Sequence, residues 1–467
     1  MKKKVYFLGI GGIAMANLAC LLKQKDFLVS GSDLDTFGPS AELLKKHKIN
    51  YFKDHDPNHI KKFKPDITVV GNAIKRGNQG LEYILDNQIA HCSMPEIIKT
   101  EIIRDKKSIV ITGTSGKTTT TALIALVLYK AGLKPTALIG GIVKNLDSGF
   151  INGNSSYTVI EGDEYGSSYN DNSPKFIHYR PYIALINNIQ PDHLDIYSSL
   201  EEIIKAFRKL PRLIPKKGLL VLNTGDKNSA ILKNDAKCKV ETFGEGGVVT
   251  AKNIKTGPNG LDFELYRKNN LLGKIKTGLL GKHNVENILA ASTIALHIGI
   301  SFKKLAEAVA MFKGVKRRLE IIYQKNNIKI IDDFAHNPDK VLASLSALRN
   351  HFSKHQIIAI FEPRTGSSRR KFFQEAYISS FKPADLVYIA EPYKKSALSK
   401  EEMFSSQKLV KDLNKEGIKS YALENADGII AHIKANYLKT NASPTIFCIM
   451  TSGDFDSIHQ KLVALVS

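Results

Sequence analysis

The sequence has few cysteines, few prolines and no long apolar run, and each shortage excludes a class of protein. Its four cysteines, Cys20, Cys92, Cys238 and Cys448, lie far apart and form no metal-ligand spacing. We therefore expect buried free thiols in a reducing compartment. Sixteen prolines and a charged fraction of 24% give no sign of a long disordered region. No run approaches the ~18 apolar residues of a membrane helix, so we expect no membrane span.

Acidic residues are also in the minority, 45 against 67 lysines and arginines, which gives a formal net charge of +22. Such a basic chain suggests nucleic-acid binding. The lysines are scattered in pairs, however, and form neither a basic helix nor a patch interleaved with aromatic residues. We therefore expect an anionic small-molecule substrate and no nucleic acid.

The N-terminal segment has some features of a targeting sequence, since three lysines at positions 2–4 precede an apolar stretch. Gly9, Gly11 and Gly12 interrupt that stretch, and a strand–loop–helix accounts for it better than a signal peptide does. We expect a cytoplasmic protein with no membrane partner. We also expect a monomer or a weak homodimer.

The length of 467 residues is enough for about three domains of ~150 residues each, and the hydrophobic fraction of 43% is enough to fill their cores. Recurring strand–helix patterns predict an α/β fold. A charged stretch at 104–107 and the segment 314–320 mark candidate boundaries. The predicted domains are 1–105, 106–313 and 314–467.

Residues 108–121 form the most restrictive pattern, Ser-Ile-Val-Ile-Thr-Gly-Thr-Ser-Gly-Lys-Thr-Thr-Thr-Thr. A β-branched run predicts a buried strand before the glycines, and an apolar helix follows them. The glycines leave room for backbone N–H groups to converge on phosphate oxygens, Lys117 bridges two phosphates and Thr118 ligates Mg²⁺. Ile111 stands where the strict phosphate-loop pattern has glycine, so this is a variant loop. We predict a nucleoside triphosphate site.

A second glycine loop, Gly9-Ile-Gly-Gly-Ile-Ala14, follows a predicted strand near the N-terminus. With Asp33 about 20 residues on, it resembles a dinucleotide fingerprint. The pattern indicates that a nucleotide's phosphates approach the loop and that Asp33 lies near a ribose or base. It does not specify NAD.

Polar residues also follow the predicted strands of the second and third domains. Glu161 ends one strand, and His193 comes shortly after another. Ligands bind at the carboxyl ends of parallel strands. Hard oxygen and imidazole ligands beside a triphosphate predict Mg²⁺-assisted phosphoryl transfer.

Six motifs occur in the order found in the Mur ligase family, and the resemblance covers essentially the whole chain. The motifs are Gly-Thr-Ser-Gly-Lys-Thr-Thr, Glu-Gly-Asp-Glu-Tyr, Asn-Asn-…-Asp-His-Leu-Asp, Gly-Lys-His-Asn-…-Asn, Val-Lys-Arg-Arg-Leu-Glu and Asp-Asp-Phe-Ala-His-Asn-Pro. That family makes amide bonds in peptidoglycan precursors through acyl phosphates. The resemblance implies a Rossmann-like UDP-binding domain, a central P-loop ATPase domain and a C-terminal Rossmann-like domain.

The resemblance also implies roles for individual residues. The ATP contacts would be Gly113, Thr114, Ser115, Gly116, Lys117, Thr118, Thr119, Asn284, Asn287, Arg318 and Asp333. The UDP-sugar contacts would be Gly11, Gly12, Ile13, Asp33 and Asn72, and the Mg²⁺ ligands Thr118, Glu161 and His193. The catalytic set would be Lys117, Glu161, His193 and Arg318.

Several alternatives remain open at this stage. The segment 280–287, which contains the Gly-Lys-His-Asn motif, is predicted to precede an alanine-rich helix from Ile288 to His297, so Asn284 and Asn287 also suit helix capping. Asp332 competes with Asp333. Arg317 is either a partner of Arg318 or a solvated neighbour. Phe207 falls where several family members carry a carbamylated lysine, and Ser115 falls where the two nearest branches usually carry histidine. We therefore expect no carbamylated lysine here.

Within the family, four segments resemble the murein peptide ligase branch, which attaches L-alanyl-γ-D-glutamyl-meso-diaminopimelate to UDP-N-acetylmuramate. These segments are 71–78, 174–179, 361–364 and 458–462. The glycine loop at 9–14 is closer to the UDP-N-acetylmuramate–L-alanine ligase branch, which is the alternative. Arg364 is the candidate for a peptide carboxylate, although a surface role is equally compatible with its position.

Two other functional classes are considered. An NAD-dependent oxidoreductase would explain the first glycine loop but would leave the Lys117 loop unused. A non-catalytic nucleotide sensor would keep both loops but would not need Glu161 and His193 together. The family resemblance favours the ligase.

Overall fold

Three β-sheets organise the chain, and helices follow most of their strands. The computed structural model describes residues 2–34, 36, 38–191, 196–393, 399, 402–436 and 443–467. The chain divides into two compact units. Unit 1 comprises residues 1–253, 263–276 and 286–315, and unit 2 comprises residues 254–262, 277–285 and 316–467.

The first sheet lies in unit 1 and is parallel, with the strand order β3-β2-β1-β4-β5. Its strands are β1 (Lys4–Leu8), β2 (Leu28–Ser32), β3 (Asn50–Phe52), β4 (Ile67–Val70) and β5 (His91–Ser93). The helices between and after them are α1 (Ile13–Gln24), α2 (Gly38–Lys46), α3 (Pro57–Phe63), α4 (Gln79–Asp86) and α5 (Met94–Ile97), followed by a π-helical segment, Ile98–Ile103. The run Val5–Leu8 is fully buried, as expected of a strand covered on both faces.

The second sheet has ten strands in the order β15-β14-β13-β12-β11-β10-β6-β9-β7-β8. They are β6 (Lys107–Thr112), β7 (Thr136–Val143), β8 (Ser148–Ile151), β9 (Tyr157–Glu161), β10 (Pro181–Ile186), β11 (Leu219–Asn223), β12 (Lys239–Phe243), β13 (Val249–Gly257), β14 (Gly260–Arg267) and β15 (Asn270–Thr277). The neighbours β10, β6 and β9 run parallel, so their carboxyl ends meet at one edge. Strands β13 to β15 contribute residues to both units.

The helices of this region range in length from four to 17 residues. They are α6 (Lys117–Lys130), α7 (Leu200–Phe207), α8 (Lys209–Leu213), α9 (Lys227–Ala230), α10 (Lys282–Ile298) and α11 (Phe302–Met311), with 3₁₀ turns at Lys175–Tyr179 and Ile231–Asp235. One apolar core joins the first two sheets, since Val5 and Phe7 belong to the same cluster of buried side chains as Val110 and Ile160. The first sheet and the part of the second sheet that lies in unit 1 therefore share one apolar core.

The third sheet lies in unit 2 and has the order β16-β17-β21-β18-β19-β20. Its strands are β16 (Glu320–Lys325), β17 (Ile328–Asp333), β18 (Gln356–Phe361), β19 (Leu386–Ala390), β20 (Lys419–Leu423) and β21 (Thr445–Met450). The helices are α12 (Pro338–His351), α13 (Ala376–Ser380), α14 (Ser406–Lys415), α15 (Ala426–Asn436) and α16 (Ile458–Val466), with a 3₁₀ turn at Lys371–Phe373. Among the described pairings of this sheet, the edge strand β16 pairs antiparallel with β17, and the others are parallel.

Two expectations from the sequence need correction. The Gly-Lys-His-Asn motif does not precede its helix, because α10 already begins at Lys282. Cys20 and Cys448 are buried, but Cys92 and Cys238 are only half-buried. Cys92 lies in β5, which is an edge strand and is covered less well than a central one. Among the described residues, no helix is both long and apolar enough to cross a membrane.

Candidate functional site

The predicted UDP-sugar loop lies at the carboxyl edge of the first sheet, where β1, β2 and β4 are adjacent. The Asp33 carboxylate, just after β2, accepts a hydrogen bond from the Gly11 N–H at 2.7 Å. Gly12 precedes α1 and Ile13 is its first residue. The predicted acid therefore fixes the glycine loop itself, which leaves the N-terminus of α1 facing the same edge.

The loop is also tied to the middle of the chain. Asn72, just after β4, donates from its side-chain amide to the Gly166 carbonyl at 3.4 Å. Asn17, fully buried in α1, donates to the Ile139 carbonyl at 3.0 Å and accepts from the Gly149 N–H at 3.0 Å. The bonds of Asn17 hold α1, the helix that follows the loop, against β7 and β8.

The phosphate loop connects β6 to α6 at the edge where β10 and β9 also end. Gly113 and Gly116 have positive φ angles of 123° and 81°, a conformation that glycine adopts without steric cost. Thr114 is buried, and Thr119 lies partly exposed in the first turn of α6. The strand–loop–helix predicted from the sequence is present.

The ammonium of Lys117 donates hydrogen bonds to acceptor groups of the protein itself. Its ammonium donates to the Gly113 carbonyl at 2.7 Å and to the Glu164 carboxylate at 2.7 Å. The Lys117 and Glu164 side chains are 11% and 2% exposed, so the ion pair is buried. Burial lowers the pKa of Lys117, but Glu164 and the two neighbouring carboxylates outweigh that effect and raise this pKa above its ordinary value. Lys117 therefore carries its charge at neutral pH.

Glu161 and Thr118, two predicted metal ligands, are in direct contact. The Thr118 hydroxyl donates to Glu161 Oε1 at 2.9 Å, and the Gly140 N–H donates to Oε2 at 2.9 Å. Burial raises the pKa of the Glu161 carboxyl, and the charge of Asp163 raises it further. His193, the third predicted ligand, lies outside the described residues.

A second buried ion pair lies beside this cluster and was not predicted. Lys175 donates to the Asp163 carboxylate at 3.0 Å, and its ammonium lies 4.2 Å from the centre of the Tyr165 ring. Burial raises the pKa of Asp163, but Lys175 and Lys117 reverse this and hold it below its ordinary value. Both Asp163 and Glu164 belong to the Glu-Gly-Asp-Glu-Tyr motif, which was the available sequence signal.

Asn284 and Asn287, two of the predicted ATP contacts, are three residues apart in α10, and the division between the units falls between them. In unit 1, Asn287 accepts a hydrogen bond from the Thr120 hydroxyl at 3.0 Å and so touches the helix of the phosphate loop. In unit 2, Asn284 donates to the Leu280 carbonyl at 2.8 Å. Both side chains are buried.

In unit 2, Asp333 is held by its own surroundings. Its carboxylate accepts from the Leu319 N–H at 2.6 Å, the Ala335 N–H at 2.8 Å and the Ser344 hydroxyl at 3.0 Å. Burial raises the pKa of Asp333, and the nearby charge of Arg318 opposes that rise.

Arg318 is exposed, and its guanidinium carbon lies 5.0 Å from the centre of the Phe334 ring. Burial lowers the pKa of His283 to about 4, and the charge of Arg318 contributes to this lowering. Asp332, the alternative carboxylate, pairs instead with Arg317 at 3.4 Å and His459 at 3.0 Å.

Arg364 lies just after β18 at the carboxyl edge of the third sheet. Its guanidinium contacts the Glu362 carboxylate at 3.2 Å and lies 3.8 Å from the centre of the Tyr393 ring. A Cβ added to Gly453 would collide with the Arg364 side chain. The Arg364 side chain is therefore largely buried, 18% exposed, and its guanidinium is held by Glu362 and Tyr393.

The structure thus gathers the predicted residues into separate groups, each described within its own unit. Unit 1 holds the UDP-sugar loop together with the phosphate loop, Glu161 and Asn287. Unit 2 holds Arg318, Asp333, Asn284 and Arg364. Phe207, at the position of the carbamylated lysine, is fully buried and packs its ring 5.5 Å from that of Phe176.

Three family models match the chain in succession. Residues 4–105 match the Mur ligase family catalytic domain, residues 111–295 the Mur ligase middle domain, and residues 317–445 the Mur ligase glutamate ligase domain. Together they span most of the sequence.

Individual relatives are similar over nearly the full length. A UDP-N-acetylmuramate–L-alanine ligase of Clostridium acetobutylicum is 35% identical over 93% of both chains. A UDP-N-acetylmuramate–L-alanyl-gamma-D-glutamyl-meso-2,6-diaminoheptandioate ligase of Haemophilus influenzae is 33% identical over 99% of this chain and 98% of its own. The crystal structure of a UDP-N-acetylmuramate-alanine ligase from Thermotoga maritima superposes with a TM-score of 0.82 at 25% identity, covering 99% of this chain and 98% of that chain.

Proposed function

Because this chain belongs to the Mur ligase family of ATP-dependent amide ligases, we propose that it joins a murein tripeptide, L-alanyl-γ-D-glutamyl-meso-diaminopimelate, to UDP-N-acetylmuramate. The family membership and the three-domain α/β architecture predicted from the sequence are confirmed. Neither the oxidoreductase nor the nucleotide sensor remains an alternative. We retain 1–105, 106–313 and 314–467 as the proposed domain limits, and peptidoglycan recycling as the proposed role.

The observation that carries the choice of a peptide substrate is the setting of Arg364. Its guanidinium, in the segment that resembles the peptide branch, is held by Glu362 and Tyr393 at a strand end. A planar guanidinium in a fixed orientation suits bidentate binding of a carboxylate. A second branch-like segment begins α16, where His459 pairs with Asp332 of the same sheet.

The L-alanine ligase is the second candidate. Its glycine loop resembles residues 9–14 more closely, and the relative from Clostridium acetobutylicum is an L-alanine ligase by name. Both candidates require the same sugar nucleotide and ATP, and they differ in the amine alone.

The residues around the phosphate loop suit a bound Mg²⁺. Three carboxyl groups lie within residues 161–164, and two of them, Glu164 and Asp163, contact the ammonium groups of Lys117 and Lys175, so the carboxyl groups outnumber the ammonium groups. Glu161 and Thr118 offer hard oxygen atoms 2.9 Å apart, the donor type that Mg²⁺ prefers. When bound, Mg²⁺ would neutralise charge on the phosphate oxygens. We propose Thr118, Glu161 and His193 as its ligands.

The proposed reaction has two steps. The muramyl carboxylate attacks the γ-phosphorus of ATP and ADP leaves, while Lys117 neutralises the charge that develops on the phosphate oxygens. The amine of the tripeptide then attacks the carbonyl carbon of the acyl phosphate, the bond from that carbon to the phosphate oxygen breaks and phosphate leaves, and a base accepts the proton that the nitrogen gives up to form the amide. Asn284, Asn287, Arg318 and Asp333 remain proposed ATP contacts, and Arg364 the proposed contact of the peptide.

Release of ADP tests this function directly. We expect ADP release only when ATP, UDP-N-acetylmuramate and an amine are all present, with the tripeptide a far more efficient amine than L-alanine. Omitting UDP-N-acetylmuramate is the control for uncoupled ATP hydrolysis. Efficient turnover of L-alanine with no response to the tripeptide would replace the peptide assignment by the second candidate.

Binding of the sugar nucleotide is tested at Asp33. Asp33→Ala removes the acceptor of the Gly11 N–H, and we expect the Kd for UDP-N-acetylmuramate to rise about tenfold or more, because hydrogen bonds to charged groups contribute about 1.5–3 kcal/mol. Calorimetry on the full chain measures this Kd, and NAD is the ligand used as the negative control. The matched control is Asp26→Ala, whose carboxylate is 86% exposed and pairs only with Lys2 in the described contacts. Tight NAD binding without a response to the UDP-sugar would contradict the assignment.

A further inference from the structure

The phosphate loop is enclosed by asparagine side chains from other elements. Asn187 and Asn188 follow β10, and Asn287 lies in α10. The Ser115 N–H donates to the Asn188 side-chain oxygen at 2.8 Å, and the Thr114 N–H donates to the Asn188 backbone carbonyl at 3.0 Å. One residue thus holds two consecutive N–H groups of the loop.

The neighbouring asparagines complete the enclosure. Asn187 donates from its amide to the Ser115 carbonyl and to the Thr120 hydroxyl, both at 3.3 Å, and Thr120 donates to Asn287. Asn187 is only 4% exposed. The side-chain amides therefore link the loop to β10 on one side and to α10 on the other.

The two loop glycines leave space that the neighbouring asparagines occupy. A Cβ on Gly113 would lie 3.0 Å from the backbone nitrogen and oxygen of Asn188. A Cβ on Gly116 would collide with Asn287 Oδ1 and lie 2.6 Å from Asn187 Nδ2. The loop glycines thus provide room for asparagines as well as the backbone conformation of the loop.

We propose that Asn188 is a positioning residue for ATP, acting through Thr114 and Ser115. A loop with two glycines has wide conformational freedom, and fixing it on binding would weaken affinity. The hydrogen bonds to Asn188 order the loop before the nucleotide binds. The entropy cost of ordering the loop is therefore not part of the free energy of ATP binding. This inference rests on the proposed ATP site at the phosphate loop, and it adds Asn188, a residue of the Asn-Asn motif to which the family resemblance assigned no role.

Asn188→Ala tests this role by comparing the change in the KM for ATP with the change in the KM for UDP-N-acetylmuramate. We expect the KM for ATP to rise about tenfold, because one net hydrogen bond is lost and the loop must be ordered when ATP binds. The kcat at saturating ATP and the KM for UDP-N-acetylmuramate should stay within about twofold of the wild-type values. Amide hydrogen exchange of the nucleotide-free enzyme should show lost protection at Ser115, whose N–H donates to the Asn188 side chain. Thr114 should keep its protection, because alanine retains the backbone carbonyl that accepts its N–H.

Two further variants separate positioning from general stability. Asn228→Ala is the matched control, because Asn228 donates to the Ile189 carbonyl at 2.8 Å and so supports the same segment without touching the loop. We expect it to leave the KM for ATP unchanged. Asn188→Asp keeps an acceptor oxygen for Ser115, so amide protection should stay at the wild-type level while the added charge weakens ATP binding.

The outcomes distinguish this inference from the proposed function. An active wild type with an unchanged KM for ATP in Asn188→Ala, or an equal rise in Asn228→Ala, overturns the inference and leaves the ligase function intact. A wild type that releases no ADP with any amine overturns the proposed function, while ATP calorimetry and amide exchange still test Asn188. If Asn188→Ala does not fold, loss of protection in Asn188→Asp overturns the inference.

Discussion

Replacing Lys117 by alanine is expected to lower ATP turnover about 10²–10³-fold, because a positioned charge on the transferring phosphoryl group is lost. The same change removes the ammonium that donates a hydrogen bond at 2.7 Å to the Glu164 carboxylate, which is 2% exposed. Breaking a buried ion pair from one side costs about 3–5 kcal/mol of folding stability. Activity and stability should therefore fall together in Lys117→Ala.

A double variant separates the two effects. Lys117→Ala combined with Glu164→Gln removes both charges, and we expect it to recover much of the lost stability in thermal denaturation while ADP release stays low. Glu82→Gln is the matched control, since Glu82 pairs with the exposed Arg76 in unit 1 and has no contact with the phosphate loop. Near-normal ADP release by a folded Lys117→Ala variant would refute the assignment of the ATP site.

Replacing Arg364 by alanine is expected to raise the KM for the tripeptide about 10- to 100-fold. The loss corresponds to a charge-assisted hydrogen-bond pair with a carboxylate, about 1.5–3 kcal/mol. Arg364→Lys keeps the charge but loses the planar fork, so an intermediate effect is expected. The KM values for ATP and UDP-N-acetylmuramate should stay within about twofold, as measured by ADP release under varied concentrations of each substrate.

Arg349→Ala is the matched control for this experiment. Its guanidinium donates to the Pro383 carbonyl at 3.0 Å and to Asp385 at 2.6 Å, and these residues precede β19. Arg349 therefore binds residues at the amino edge of the same sheet, opposite to Arg364. Its replacement should lower the folding stability without changing tripeptide kinetics. If Arg364→Ala leaves the tripeptide KM untouched in an active ligase, another residue binds the peptide.

Local sequence patterns were sufficient where one short segment carries the whole signal. The strand β6, the glycine turn and the helix α6 follow from a β-branched run, two glycines and an apolar stretch, all within residues 107–130. The same holds for β1, its glycine loop and α1. In both cases the backbone conformation depends on neighbours in sequence, so the pattern alone predicts it.

Other predictions required long-range packing and were less complete. The start of α10 was placed too late, because Gly-Lys-His-Asn carries no strong helix signal, although the segment is helical from Lys282. The exposure of Cys92 depends on β5 being an edge strand. Local sequence patterns do not predict the order of the strands in a sheet. The three-domain architecture followed from the family resemblance and not from periodicity.

The sequence by itself determined that this chain is an α/β ligase with two glycine loops, since those loops and the family motifs are contiguous in the chain. Only the tertiary structure decided which groups face the phosphate loop. Glu164 meets Lys117 across 47 residues and Asn188 meets Ser115 across 73, because the strand order β10-β6-β9 places these distant segments on both sides of β6. A hydrogen-bond partner is chosen by proximity in space, and that proximity exists only once the sheet has formed.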